Sequence, residues 1–251
     1  MRWAFKRQLF FALAVLVILL LLFSGGWYFF FYHSPTCFDG AQNGSETGVD
    51  CGGSCAKICQ APAVTALWVR AVPAGPGVYH AVALVRNPRS DAGTMALPYH
   101  FSLYDANNIL VAERSGTMYL EPAEVAPLFE PDIVTGNRTP THAFIDFGQS
   151  VWTKMTAPPQ LVKVDSQTSP ADIMTTQSLS ARVTNLTAVA LSSTVVTALL
   201  FDASGNLVNA SQTVVANLPP LGTQNITFTW QQPFTATVTQ VELTPRSQTP
   251  P

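Results

Sequence analysis

Hydrophobic positions fall into two regimes along this chain. From Leu9 to Tyr32 they run almost unbroken and uncharged for about two dozen residues. That pattern predicts one helix long enough to cross a bilayer at about 1.5 Å per residue. From Pro62 onward, Val, Thr and aromatic residues alternate with polar ones at period two. Ile226, Phe228 and Trp230 face one way, Asn225, Thr227 and Thr229 the other; Ala143, Ile145 and Phe147 alternate more weakly with His142, Phe144 and Asp146. Turn signals recur at Asn87-Pro88, Asp105-Ala106-Asn107-Asn108, Ser204-Gly205-Asn206 and Pro219-Pro220. Short strands at such spacing predict an all-β sandwich architecture.

The flanks of the apolar run set its orientation. Arg2, Lys6 and Arg7 precede it and the next cation is Lys57, so the N-terminus is expected to stay cytoplasmic. The cluster Trp27-Tyr28-Phe29-Phe30-Phe31-Tyr32 suits the outer membrane interface. A cleaved signal peptide is the rival reading, but its apolar core normally ends at a small-x-small site. Here Ala12-Leu13-Ala14 lies in mid-run and Ser24-Gly25-Gly26 is followed by the aromatic cluster, which favours an uncleaved anchor. No Leu-x-Gly-Cys pattern precedes Cys37, and no acidic residue lies early in the run, so neither a lipid anchor nor a pilin-like start is indicated.

Charge narrows the partners. Of 13 Lys and Arg against 15 Asp and Glu, three cations lie before the apolar run, which leaves a net −5 outside it. Nucleic acid and anionic lipid surfaces are poor partners for such a region. A protein partner in the envelope or outside the cell is the expectation.

All four cysteines, Cys37, Cys51, Cys55 and Cys59, lie just beyond the apolar run. An even count outside a membrane predicts two disulfides, of which three pairings are open. A four-thiolate zinc site is the rival, but paired Cys-x-x-Cys knuckles are missing and an oxidising compartment disfavours free thiolates. The stretch from Cys37-Phe38-Asp39-Gly40 through Asn43-Gly44, Glu46-Thr47-Gly48-Val49-Asp50 and Cys51-Gly52-Gly53-Ser54-Cys55 resembles a short Cys-rich module found in many secreted and surface-anchored proteins. Asp39, Asn43, Glu46 and Asp50 alternate with glycines, which admits two readings: oxygen ligands for calcium, or turn capping. The spacing is not that of an EF-hand loop, and turn capping is the stronger of the two.

An internal repeat spans the β region. Leu103-Tyr104-Asp105-Ala106-Asn107-Asn108-Ile109-Leu110-Val111 lines up with Leu200-Phe201-Asp202-Ala203-Ser204-Gly205-Asn206-Leu207-Val208. Val85-Arg86-Asn87 meets Val183-Thr184-Asn185, Pro122 meets Pro219, and Phe129 meets Ile226. A period near one hundred residues is a domain duplication, with its boundary near Ala157-Pro158-Pro159. Phe101-Ser102-Leu103-Tyr104-Asp105, with Leu120-Glu121-Pro122 after it, resembles the FxLYD-type domains, small immunoglobulin-like sandwiches outside bacterial membranes. The second repeat departs from that pattern at Ala198 and Phe201. The resemblance implies spacing or binding modules without enzymatic activity. Physically, the aromatic is expected in a core and the Asp as a cap on its own turn.

Candidate chemistry is thin. His33, His80, His100 and His142 are scattered, and neither a Gly-x-Ser-x-Gly elbow nor a phosphate-binding Gly loop is present. Glu121 and Glu124 flank a proline turn and read as solvated. Trp68, Trp152 and Trp230 read as core or edge residues ahead of ligand-stacking ones. Asn43, Asn137, Asn185, Asn209 and Asn225 match the glycosylation acceptor pattern, which a Thr-rich chain meets often by chance.

The expected organisation is a cytoplasmic segment 1–8, a signal anchor 9–32, a Cys-rich stem 33–61, β-sandwiches 62–157 and 158–245, and a tail 246–251. The expected fold class is all-β, two tandem immunoglobulin-like sandwiches behind one membrane helix. The expected role is a non-enzymatic plasma-membrane protein presenting these modules outside. The alternatives are an accessory component of a surface appendage or secretion complex, and an extracytoplasmic hydrolase working at the interface between the repeats.

Overall fold

The computed structural model describes residues 2–31 and 34–247. Tyr32, His33 and the end of the expected tail, 248–251, lie outside the described residues. Strands make up 48% of the chain and helix 14%, nearly all of it N-terminal, so the rest of the molecule is held by sheet pairing. The chain divides into two compact units, Met1–Cys55 and Ala56–Pro251.

The first unit begins with α1 (Arg2–Phe31). Its stretch Phe5–Phe31 is long and apolar enough to cross a membrane, and none of it is buried inside the protein. Without a polar face or a core to pack on, such a helix is stable only where its whole circumference meets an apolar medium. The stem that follows has almost no apolar interior: Phe38 is 95% exposed and Val49 53%, whereas Cys55 is 1% exposed. Cystine takes the place of a core there. Cys37 bonds Cys55 with Cα atoms 5.6 Å apart, Cys51 bonds Cys59, and no described cysteine is free. Gly53 is required at its position, because its φ is +52° and a Cβ would fall on the Ser45 carbonyl.

The second unit opens with β1 (Thr65–Gly75), β2 (Val78–Arg86), β3 (Ala92–Tyr104), β4 (Leu110–Leu120), β5 (Val125–Val134), β6 (His142–Phe147) and the short β7 (Thr153–Lys154). Their antiparallel sheets run β1-β2-β5 and β4-β3-β6, with β7 on the start of β3. One core lies between them, with Ala81, Ala83, Val85, Phe101, Leu103 and Leu128 at its centre. Ile58, assigned by sequence to the stem, belongs to this core; its N–H donates to the Trp152 carbonyl at 2.9 Å.

Then follow β8 (Val162–Ser166), α2 (Pro170–Thr176), β9 (Ser178–Asn185), β10 (Leu191–Phe201), β11 (Leu207–Leu218), β12 (Thr223–Thr229) and β13 (Gln240–Arg246). The sheets run β12-β9-β8 and β11-β10-β13 around a second core that includes Leu179, Val183, Leu200, Ile226 and Phe228. The strand order of the first region is thus reproduced strand for strand. Arg246, expected in the tail, closes β13. α2 departs from the strand-only expectation: Ser169 caps it by accepting the Asp172 N–H at 3.2 Å, Pro170 sits in its first turn, and Ile173 anchors it in the core.

Pairing also corrects one detail of the repeat. Leu128 stands opposite Ala83 as Ile226 stands opposite Ala181, so Leu128, not Phe129, is the counterpart of Ile226. The register shift at Leu103/Tyr104 recurs at Leu200/Phe201, whereas the shift between Thr94 and Leu97 occurs in the first region alone and displaces the two repeats by one residue. Leu128 therefore points into the first core and Phe129 points out of it.

Candidate functional site: the interface between the two β regions

A third apolar cluster joins the two regions. Val72 and Val82 of the β1-β2-β5 sheet meet Leu199, Phe201 and Ala210 of the β11-β10-β13 sheet, with Trp68, Phe129 and Leu207 packed around them. The local sequence explains it. Ala81-Val82-Ala83-Leu84-Val85 and Ala198-Leu199-Leu200-Phe201 are apolar at consecutive positions, so each strand has an apolar residue for both of its faces. Odd positions of β2 fill the first core, while Val82 reaches the second region. Trp68 and Phe201 meet edge-to-face with centroids 6.3 Å apart. The unit is therefore a stack of four sheets, with the expected two cores and a third between them.

At one end of this interface an ion pair closes the stack. Arg246 donates from Nε to Glu124 Oε1 at 2.8 Å and from Nη2 to Oε2 at 3.1 Å, and its Nη2 also reaches the Tyr119 carbonyl at 2.7 Å. The guanidinium lies 4.1 Å from the Tyr119 ring centre. Glu124 further accepts the Glu121 N–H at 2.8 Å. The expectation that Glu121 and Glu124 are solvated is corrected here. Glu124 is only 16% exposed because the second region covers it, and burial, then the Glu124 charge, raises Glu121 above the ordinary carboxylate range. Burial pushes the Tyr119 hydroxyl up to about 12.

Away from the ion pair a polar cleft of about 310 Å3 lies between the regions, lined by His80, Asp132, Asn209, Ser211, Thr229 and Trp230 among others. The His80 Nδ1 accepts the Asp132 N–H at 3.1 Å, and its ring lies 4.9 Å from that of Phe129. Burial lowers the His80 pKa against the opposing pull of Asp132, so the ring is neutral near pH 7. Among the described residues no hydroxyl hydrogen-bonds His80, although Ser211 and Thr229 line the same cleft. The hydroxyl–imidazole–carboxylate set that does form is elsewhere: His100 Nδ1 lies 2.7 Å from Ser115 Oγ, and Nε2 lies 3.1 Å from Glu113 Oε1. Cross-strand register brings these together, which sequence spacing does not reveal. They sit on the exposed face of a sheet, the His100 and Glu113 side chains at 40% and 51% exposure. His142 Nδ1 lies 3.0 Å from its neighbour Thr141 Oγ1.

The four candidate calcium residues lie in the stem, where Asp39, Glu46 and Asp50 accept hydrogen bonds from its turns. Asp39 accepts from the Asn43 side chain and the N–H groups of Thr36 and Ala41, interactions that hold its carboxyl below the usual range. Asp50 accepts the Gly40 N–H, and Glu46 accepts those of Asn43 and Asp50. Hydrogen bonds from backbone N–H groups to Asp39, Glu46 and Asp50 are of the turn-capping kind. Asn43 Oδ1 is buried without a partner. The one described group of His, Cys, Asp and Glu atoms close enough to share a metal is Cys37, Glu46 and Cys55, and its two sulfurs are joined as cystine.

The repeat signature serves structure. Phe101 and Leu103 are fully buried, whereas Tyr104 lies on the opposite sheet face against the Phe144 ring. Asp105 Oδ1 accepts the N–H groups of Asn107 and Ile109, and Asp202 Oδ1 accepts those of Ser204 and Asn206. Two of the acceptor asparagines are structural too. Asn185 is 1% exposed and donates to the carbonyls of Val189, Leu218 and Pro219, while Asn209 donates to the Pro73 carbonyl across the interface. Trp152 and Trp230 are buried in the two cores, and the half-buried Trp68 packs against the cluster between them.

No family model matches this sequence, and no curated protein matches it. Among solved structures the chain is similar to red sea bream transglutaminase at 14% identity, over 73% of this chain and 29% of that one, with a TM-score of 0.23. It is also similar to vicilin from Corylus avellana (hazelnut) at 8% identity, over 71% and 83% of the two chains, with a TM-score of 0.12. The chain thus spans under a third of the transglutaminase. At these scores neither likeness bears on fold or function.

Proposed function

We propose that this chain is a single-pass membrane protein that holds two tandem immunoglobulin-like sandwiches, of the FxLYD type, on the extracytoplasmic side as a non-enzymatic interaction or spacing module. The observation that carries this reading is the stacking of the two β regions. Apolar residues are placed on sheet faces to make one stiff body, and His80 and Asn209 in the cleft bind the backbone of neighbouring strands. An apolar N-terminal helix preceded by cations supports the anchor and its orientation. Two disulfides in a stem with no apolar core support an oxidising compartment. The six-strand order repeated in both regions supports the immunoglobulin-like assignment.

Cross-linking with mass spectrometry on intact cells tests the role. Capture of a membrane complex points to an accessory component of an envelope assembly, and capture of external proteins points to a surface receptor or adhesin. The expected hydrolase alternative lies at the interface between the repeats; a separate hydrolase reading, on the outer sheet face, would rest on His100, Ser115 and Glu113. A fluorophosphonate probe is expected to leave Ser115 unlabelled, and labelling abolished by Ser115→Ala would establish that separate reading instead.

A further inference from the structure

Every sheet has two edge strands, and β6 and β13 are equivalent edges of the two regions, each without a further hydrogen-bonded strand among the described residues. The two edges are protected differently. β13 carries Pro245 and its terminal Arg246 is held in the ion pair with Glu124. β6, His142-Ala143-Phe144-Ile145-Asp146-Phe147, has neither proline nor lysine, the usual devices against pairing at an edge. Its residues alternate between exposed and half-buried, and Phe144 is 56% exposed.

The hydrogen-bond phase of β6 is readable. The Gly148 N–H donates to the Pro98 carbonyl, and β6 continues from there in regular antiparallel register with β3, Asp146 opposite His100 and Phe144 opposite Ser102. Alternation then directs the main-chain groups of His142, Phe144 and Asp146 to β3. Those of Ala143, Ile145 and Phe147 are left on the open edge.

We infer that β6 pairs antiparallel with β6 of a second copy, about a two-fold axis through Phe144, to make one continuous sheet β4-β3-β6-β6-β3-β4. Three observations converge on that register. Pairs centred on Phe144 set Ala143 against Ile145 of the partner, so the free main-chain groups meet each other. Phe144 faces its own copy in a non-hydrogen-bonded pair, where side chains approach most closely. His142 faces Asp146 of the partner, and the Thr141 hydroxyl at Nδ1 leaves the ring's Nε2 for that carboxylate. Moving the axis to Asp146 would oppose two carboxylates, and moving it to Ile145 would oppose Phe144 to Asp146 and set His142 against Gly148 in place of a carboxylate. The sheet face formed would carry Tyr104 and Phe144 from both copies as one aromatic row, extending the edge-to-face contact of these rings at 5.7 Å. An isologous contact of this kind closes at two copies.

The test uses the full chain in detergent and in its native membrane. With every described cysteine in a disulfide, Phe144→Cys adds one thiol that meets its own copy across the axis. Mild oxidation is expected to give a reducible covalent dimer at least about tenfold faster than for Val134→Cys, an exposed position away from β6. Asp146→Cys is expected to stay at the control rate, because antiparallel register carries its two copies about 13 Å apart along the strands. Light scattering is expected to show a dimer for the unmodified chain and a monomer for Phe144→Lys, whose exposed site leaves the fold intact by circular dichroism. Equal cross-linking at Phe144, Asp146 and Val134, or a dimer that survives Phe144→Lys, overturns the proposal. Isolation of β6 bound to an extended segment of another protein overturns it as well.

Discussion

Arg246, the last residue of β13, grips Glu124 with both arms of its guanidinium while the two belong to different β regions. Both side chains are about six-sevenths buried, at 14% and 16% exposure. Each therefore depends on the other, and removing one leaves the remaining charge in a poorly solvated place. Arg246→Ala is expected to lower stability by about 3 kcal/mol. Calorimetry is expected to show one transition for the unmodified chain and two for this variant. A single unshifted transition would mean that the pair is only ornamental.

The apolar cluster makes the same claim by a different force. Leu199 is 1% exposed yet faces the neighbouring region instead of its own core. Leu199→Ala is expected to cost about 2–4 kcal/mol through lost burial and the cavity left behind. Val214→Ala, at a site 57% exposed, is expected to cost less than about 0.5 kcal/mol. Urea denaturation of both variants checks the contrast.

Asn87 and Asn185 form an internal control. Asn87 donates to the carbonyls of Ala92 and Glu121 and accepts the Arg89 N–H, and Asn185 makes the same kind of knot in the second region. Either Asn→Ala change strands buried carbonyls, so each is expected to cost about 2–4 kcal/mol. The effects are expected to add, because the knots share no partner. Denaturation of the two single variants and the double variant tests both statements.

Much of this was legible in the sequence, for physical reasons that differ by element. The N-terminal helix declares itself by an uncharged run, and the duplication by turn residues whose side chains bind their own backbone, as Asp105 and Asp202 do. α2 carried a readable start in Ser169-Pro170 with Asp172 after it, but its single buried residue, Ile173, is too little for a helical period. The interface had a signal as well: consecutive apolar residues at Ala81–Val85 and Ala198–Phe201 break the period-two alternation of a half-exposed strand. Glu124 could not be read, because its partner lies 122 residues away and only the fold joins them. His100 with Ser115 and Glu113 is hidden for the same reason, being set by strand register.

His80 gives the β unit a pH dependence of known sign. Its folded pKa lies below the ordinary 6.5, chiefly through burial, so the folded chain refuses a proton that the unfolded chain takes up. Its contribution is complete above pH 6.5 and is lost as pH falls from there toward the folded value. The carboxylates of Asp105 and Asp202, lowered first of all by the N–H groups of Ile109 and Asn206, act in a separate window below about pH 4. Melting temperatures from pH 8 to 5 are expected to decline for the unmodified chain and stay flatter for His80→Gln. Parallel curves would remove His80 from the account.

The most direct measurement of the central claim is labelling with a membrane-impermeant maleimide in intact cells. Added thiols report cleanly, since the described native cysteines are all in disulfides. Val134→Cys, at a site 73% exposed on the β unit, is expected to label in intact cells. Gln8→Cys, before the apolar run, is expected to label only after permeabilisation, on a chain that keeps its N-terminal sequence in the membrane fraction. Labelling of Gln8→Cys but not Val134→Cys in intact cells, or a mature chain that begins after Gly26, would contradict the account.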